Sequence, residues 1–159
     1  MDGPFGSSKF VVRRAAPAAG SEYYALSTNI TAEAVAVGAT GARNNLVLST
    51  SRDLRSWRVC RTLLADDTGF SVADSARYTG FEYPDWKFDG ADIVAGVRTA
   101  YRGAASGKSV VNAIACKHAI TQIRLTGCVC RHESMGRSGG SSNRMTVLRV
   151  VGYAAACGN

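Results

Sequence analysis

Two groups of residues have types and spacings that could support chemistry without reference to any fold. Cys116-x-His118 and Cys128-x-Cys130-x-His132 offer the soft sulfur and imidazole ligands that zinc accepts. A one-residue gap on an extended chain sends both side chains to one face. Zinc fingers and ribbons instead use knuckles with roughly two to four residues between the cysteines. Free thiols and surface histidines are therefore expected here, and no metal. The second group is Ala34 to Arg43, AVAVGATGAR, in which Gly38 and Gly41 imitate a phosphate-binding glycine turn. Its third glycine position holds Asn44, and LVLST then reads as a strand where a dinucleotide site needs the N-terminus of a helix. A glycine-rich loop is expected, with no cofactor.

Charge and length narrow the function classes. The chain has 159 residues and a net charge of +7. Residues 1 to 100 hold 11 basic and 11 acidic side chains, whereas residues 101 to 159 hold eight basic ones against Glu133 alone. The excess thus belongs to the last third. Tyr153 is the only aromatic residue after Tyr101, so base stacking has little support and no nucleic-acid partner is expected. No apolar run reaches the roughly 18 residues needed to cross a bilayer, and no basic start leads into an apolar stretch like that of a secretory signal. No membrane partner is expected, and the compartment stays open. Five cysteines (60, 116, 128, 130 and 157) leave at least one thiol unpaired in an oxidised monomer, and their pairing stays open too.

Short strands must position whatever site exists. Ser8 to Arg14, Glu22 to Thr28, Leu46 to Leu48, Trp57 to Leu64, Phe81 to Phe88, Ile93 to Arg98 and Ala119 to Leu125 are β-branched and aromatic runs. Asp89-Gly90 is a hairpin signal between two of them. Strands about ten residues apart, with little helical periodicity, predict an all-β sandwich, barrel or propeller. Residues 126 to 159 have linker composition at Gly136 to Asn143 and one further candidate strand at Met145 to Gly152. They are expected to be an appended, poorly ordered basic segment.

Within the strands, Arg43 to Trp57 reads RNNLVLSTSRDLRSW. Ser51-x-Asp53-Leu54-x-x-Trp57 makes a structural turn in which the Asp side chain bonds its own backbone and the Trp packs between neighbouring strands. This turn resembles the Asp-box turns of sialidase-type β-propellers, although it lacks their glycine and is one residue shorter. Gly80 to Tyr101, GFEYPDWKFDGADIVAGVRTAY, is similar to a late blade of the same proteins. The resemblance covers roughly residues 5 to 125 and identifies the chain with the sialidase (neuraminidase)-like superfamily, in its C-terminal blades.

The resemblance implies a fold and a chemistry. The expected fold is all-β, with two to three blades of an incomplete propeller in residues 1–125 and the appended segment in 126–159. The expected function is exo-acting hydrolysis of a terminal sialic or similar acidic sugar. Sialidases use a Tyr nucleophile assisted by a Glu, an Asp acid/base and an arginine clamp on the sugar carboxylate. Tyr83 falls at the nucleophile position, and Arg43 and Arg98 are the clamp candidates. Glu82 and Asp85 flank Tyr83, but neighbours on a regular strand point to the opposite face from it. The catalytic Asp and first clamp Arg of the early blades have no counterpart here. Because two or three blades cannot encircle a site, the chain is expected to be a fragment or to need an oligomer or further blades. The alternative is a non-catalytic propeller remnant that binds carbohydrate or a protein.

Overall fold

Tyr24, Leu26, Leu46 and Leu48 lie fully buried on two adjacent strands, and the rest of the molecule is arranged around them. A computed structural model describes residues 3, 5–6, 8–15, 22–101 and 142–158. Strands β1 (Val11–Arg14), β2 (Tyr23–Thr28), β3 (Asn45–Ser51) and β4 (Arg58–Ala65) form one antiparallel sheet in that order. Strands β5 (Thr79–Asp89), β6 (Asp92–Tyr101) and β7 (Ser142–Val150) form a second antiparallel sheet, also in chain order. The protein is mostly β, as its runs of Val, Leu, Thr and Tyr predict.

One core joins the two sheets. Phe81, Trp86, Ile93, Ala95, Val97, Leu148 and Val150 from the second sheet pack in one cluster with the buried residues of β2, β3 and β4. Fully burying a side chain of this size contributes about 1.5–3 kcal/mol, so a shared cluster makes each sheet depend on the other. Trp86 adds a directional tie, its Nε1 donating to the Val11 carbonyl across the sheets at 3.0 Å. The two-residue loop Gly90-Ala91 closes the β5–β6 hairpin, and Gly90 takes the φ of 61° that this turn needs at its first position.

Two features depart from the sequence reading. Two short helices stand where loops are expected: α1 (Ala32–Ala36) and α2 (Val72–Tyr78). Each opens on a capping hydroxyl, Thr31 accepting from the Ala34 amide and Ser71 from the Asp74 amide. The glycine-rich stretch thus begins as a helix, which ends at Gly38 with φ 73°. The C-terminal residues 142–158 are not a loose appendage. β7 pairs with β6 from Ile93↔Val150 to Tyr101↔Ser142, and α3 (Tyr153–Ala156) packs Tyr153 against Tyr24 and Phe88. A disulfide between Cys60 of β4 and Cys157 fixes that end to the first sheet. The physical reason is that Leu148, Val150 and Tyr153 complete the core, which basic composition does not reveal. The Ala119 to Leu125 candidate strand and Cys116, His118, Cys128, Cys130 and His132 lie outside the described residues.

Candidate functional site

β5 and β6 position the strongest candidate residues, and an irregularity in β5 brings them together. Glu82 pairs with Arg98, whereas the next paired residues are Asp85 and Gly96, so Tyr83 and Pro84 together oppose Val97 alone. This is a β-bulge. Before it Phe81 faces the core; after it Pro84 and Trp86 do, so the in–out alternation slips by one residue. Consecutive Glu82 and Tyr83 consequently both project away from the core. The expectation that they point to opposite faces holds for a regular strand and is overturned by the bulge.

Tyr83 itself adopts φ 51°, in the left-handed region that non-glycine residues rarely occupy. The residue is about half exposed, at 47%. The Arg98 guanidinium lies 5.6 Å from the ring centroid and the Lys9 ammonium 5.7 Å, both within cation–π range.

Glu82 organises the arginines. Arg43 Nη1 donates to Glu82 Oε1, and Arg98 Nη1 lies 3.6 Å from Glu82 Oε2. The Glu82 side chain is largely covered, 14% exposed, while the Arg43 and Arg98 side chains are 41% and 44% exposed. Arg43 reaches the site because its backbone forms a parallel bridge with Gly80, and its carbonyl accepts the Phe81 amide at 2.8 Å. Two guanidiniums thus converge on one carboxylate, from separate parts of the chain, through charge-assisted contacts. The family models, the curated proteins and the solved structures yielded no match to this chain.

Tyr83, Glu82, Arg43 and Arg98 thus form one group. Asp85 is engaged elsewhere: 82% exposed, it pairs with Arg13 at 3.2 Å and accepts the Trp86 amide. Lys9 belongs to the group but carried no signal in the sequence, since it is distant in the chain and lies in no motif.

The Ser51–Trp57 turn is a separate, internally bonded unit. Asp53 Oδ1 accepts the Arg55 and Ser56 amides, both at 2.8 Å, and Ser51 Oγ accepts the Leu54 amide at 3.0 Å. Those backbone N–H groups stabilise the carboxylate and hold its pKa at about 2. Trp57 is half-buried and meets the N-terminal Phe5 edge-on at 5.2 Å, so a ring from the N-terminal segment covers it. Among the described residues no group of three or more His, Cys, Asp or Glu side chains could hold a metal ion.

Proposed function

We propose that this chain contributes the tyrosine and arginine part of a sialidase-like glycosidase site, acting on a terminal sialic or similar acidic sugar. The observation that carries the reading is the Glu82 carboxylate between Arg43 and Arg98, with Arg98 over the exposed ring of Tyr83. Planar guanidiniums recognise a carboxylate through paired N–H donors, which suits an acidic sugar better than a neutral one. The four strands β1 to β4 have the up-and-down order of a propeller blade, and the second sheet is read as the next blade.

In the proposed mechanism the arginines hold the sugar carboxylate beside Tyr83. The Tyr83 oxygen forms a bond to the anomeric carbon as the glycosidic carbon–oxygen bond breaks, and Glu82 takes the phenolic proton. The departing oxygen receives its proton from an acid outside this group, supplied by another blade or a second chain. Water then releases the sugar from Tyr83. Asp85 is assigned no step, because its carboxylate is committed to Arg13.

The test is hydrolysis of a fluorogenic sialoside by the purified chain, with Tyr83→Phe as the paired variant. Turnover that disappears in the variant supports the nucleophile. Unchanged turnover discards it. Binding of the sialoside without turnover by the intact chain supports the non-catalytic carbohydrate-binding alternative.

A further inference from the structure

The edge strand β4 carries an irregularity of its own, and it gathers arginines away from the Tyr83 group. Residues 52–61 hold Arg52, Arg55, Arg58 and Arg61 against one acid, Asp53. On a regular strand Arg58 and Arg61, three residues apart, would point to opposite faces. The register shift around Cys60 instead sets Arg58 opposite Thr50 and Arg61 opposite Leu48. Thr50 and Leu48 share a face of β3, so the two arginines share a face too, about 7 Å apart along the strand. Glu22 draws Arg52 to the same end of the sheet. Its Oε1 accepts from Arg52 Nε at 3.0 Å, and its Oε2 accepts from Thr50 Oγ1 at 3.3 Å. Arg58 Nη2 donates to the Cys157 carbonyl, which the Cys60–Cys157 disulfide holds beside β4. Among the described residues neither Arg58 nor Arg61 has a carboxylate within ion-pair distance, and the Arg52 side chain is 83% exposed.

We infer that Arg52, Arg58 and Arg61 form a binding surface for a sulfated polysaccharide, independent of the site at Tyr83. Guanidiniums donate paired N–H groups to anionic oxygens, and three of them along one strand edge match a chain that repeats its anionic groups. Clustered charge of one sign also raises the local concentration of a polyanion. Two observations favour a sulfated polysaccharide over a nucleic acid. The disulfide beside the cluster belongs to oxidising compartments and the extracellular space, where sulfated glycans are abundant polyanions. Single-stranded nucleic acids bind largely by stacking on aromatic rings, whereas Trp57, which precedes Arg58, is half-buried against Phe5.

The experiment is calorimetric titration of the full chain, disulfide intact, with a heparin octasaccharide at low salt. Arg61 makes no side-chain hydrogen bond or ion pair among the described residues, so Arg61→Gln leaves the fold in place. It should weaken binding about threefold to fivefold, the range of a single exposed ion pair. Arg58→Gln combined with Arg61→Gln should weaken it about tenfold or more. Arg77→Gln removes the same charge from an exposed position on α2 and should stay within about twofold of the wild type. A desulfated octasaccharide should bind about tenfold more weakly than the sulfated one. Equal weakening by Arg77→Gln and Arg61→Gln, wild-type affinity in Arg61→Gln, or no binding by the wild-type chain overturns the proposal. Tighter binding of a single-stranded oligonucleotide of equal charge assigns the surface to nucleic acid and overturns it as well.

Discussion

Leu54 and Tyr83 are the non-glycine residues held at positive φ among the described residues, at 62° and 51°. Their surroundings differ in every other respect. At Leu54 the turn compensates for the conformation locally: Ser51 Oγ accepts the Leu54 amide, and Asp53 accepts the next two. At Tyr83 the conformation is imposed from outside, by the ladder that resumes at Asp85 and by Pro84 and Trp86 seated in the core. The first strain ends in a closed set of hydrogen bonds with nothing left to offer. The second displays a ring with two cations within cation–π range and brings Glu82 beside it. Equal departures from ordinary backbone geometry thus mark a structural turn in one sheet and a candidate binding site in the other.

The largest test asks whether the two regions belong to one cooperative unit. The Cys60–Cys157 bond closes a loop of 97 residues, for which chain entropy gives about 4–5 kcal/mol. Cys157→Ser should therefore lower the melting temperature by roughly 10 °C or more. Because the sheets share a core, amide exchange should show the Asp53 turn and the Tyr83 bulge losing protection together. Protection retained in one sheet after loss in the other would break the picture of a single core.

A smaller effect separates the two strained residues. Leu54→Gly and Tyr83→Gly each relieve a left-handed conformation, against the greater flexibility of an unfolded glycine. Both should raise stability, by up to about 1 kcal/mol in denaturant titrations. Only Tyr83→Gly should also impair sialoside binding. A Leu54→Gly variant with the same binding defect would erase the distinction.

The smallest effect is the acid response of the turn. Asp53 has a folded pKa of about 2 against an ordinary value of 3.8. Its contribution is complete above 3.8 and is lost as pH falls towards 2. Asp53→Asn should flatten the stability-against-pH curve in that window, read by denaturant titrations at several pH values, and an unchanged slope would contradict it.

Much of the strand framework was legible because β-branched and aromatic runs alternate with polar turns, as at Glu22 to Thr28 and Phe81 to Phe88. The helices were not, since five and seven residues carry too few turns for a periodic pattern; the Ser71-x-x-Asp74 cap was the available signal. Register slips are invisible in residue type, so the bulge that unites Glu82 with Tyr83 emerges only from the pairing of β5 with β6. The Cys60–Cys157 bond was equally hidden, because five cysteines allow many partners and proximity is a property of the fold. Tyr83, Arg43 and Arg98 were singled out by family resemblance, and their common location is a matter of geometry.

The most direct measurement is calorimetric titration of free N-acetylneuraminic acid into the full chain, comparing Arg98→Gln with Arg55→Gln. Arg98 sits over Tyr83, whereas Arg55 is an exposed arginine of the Asp53 turn. Loss of a charge-assisted pair of hydrogen bonds at Arg98 should weaken binding by about tenfold or more, and Arg55→Gln should stay within about twofold of the wild type. Equal effects of the two substitutions, or no binding by the wild-type chain, would contradict an acidic-sugar clamp built on Glu82, Arg43 and Arg98.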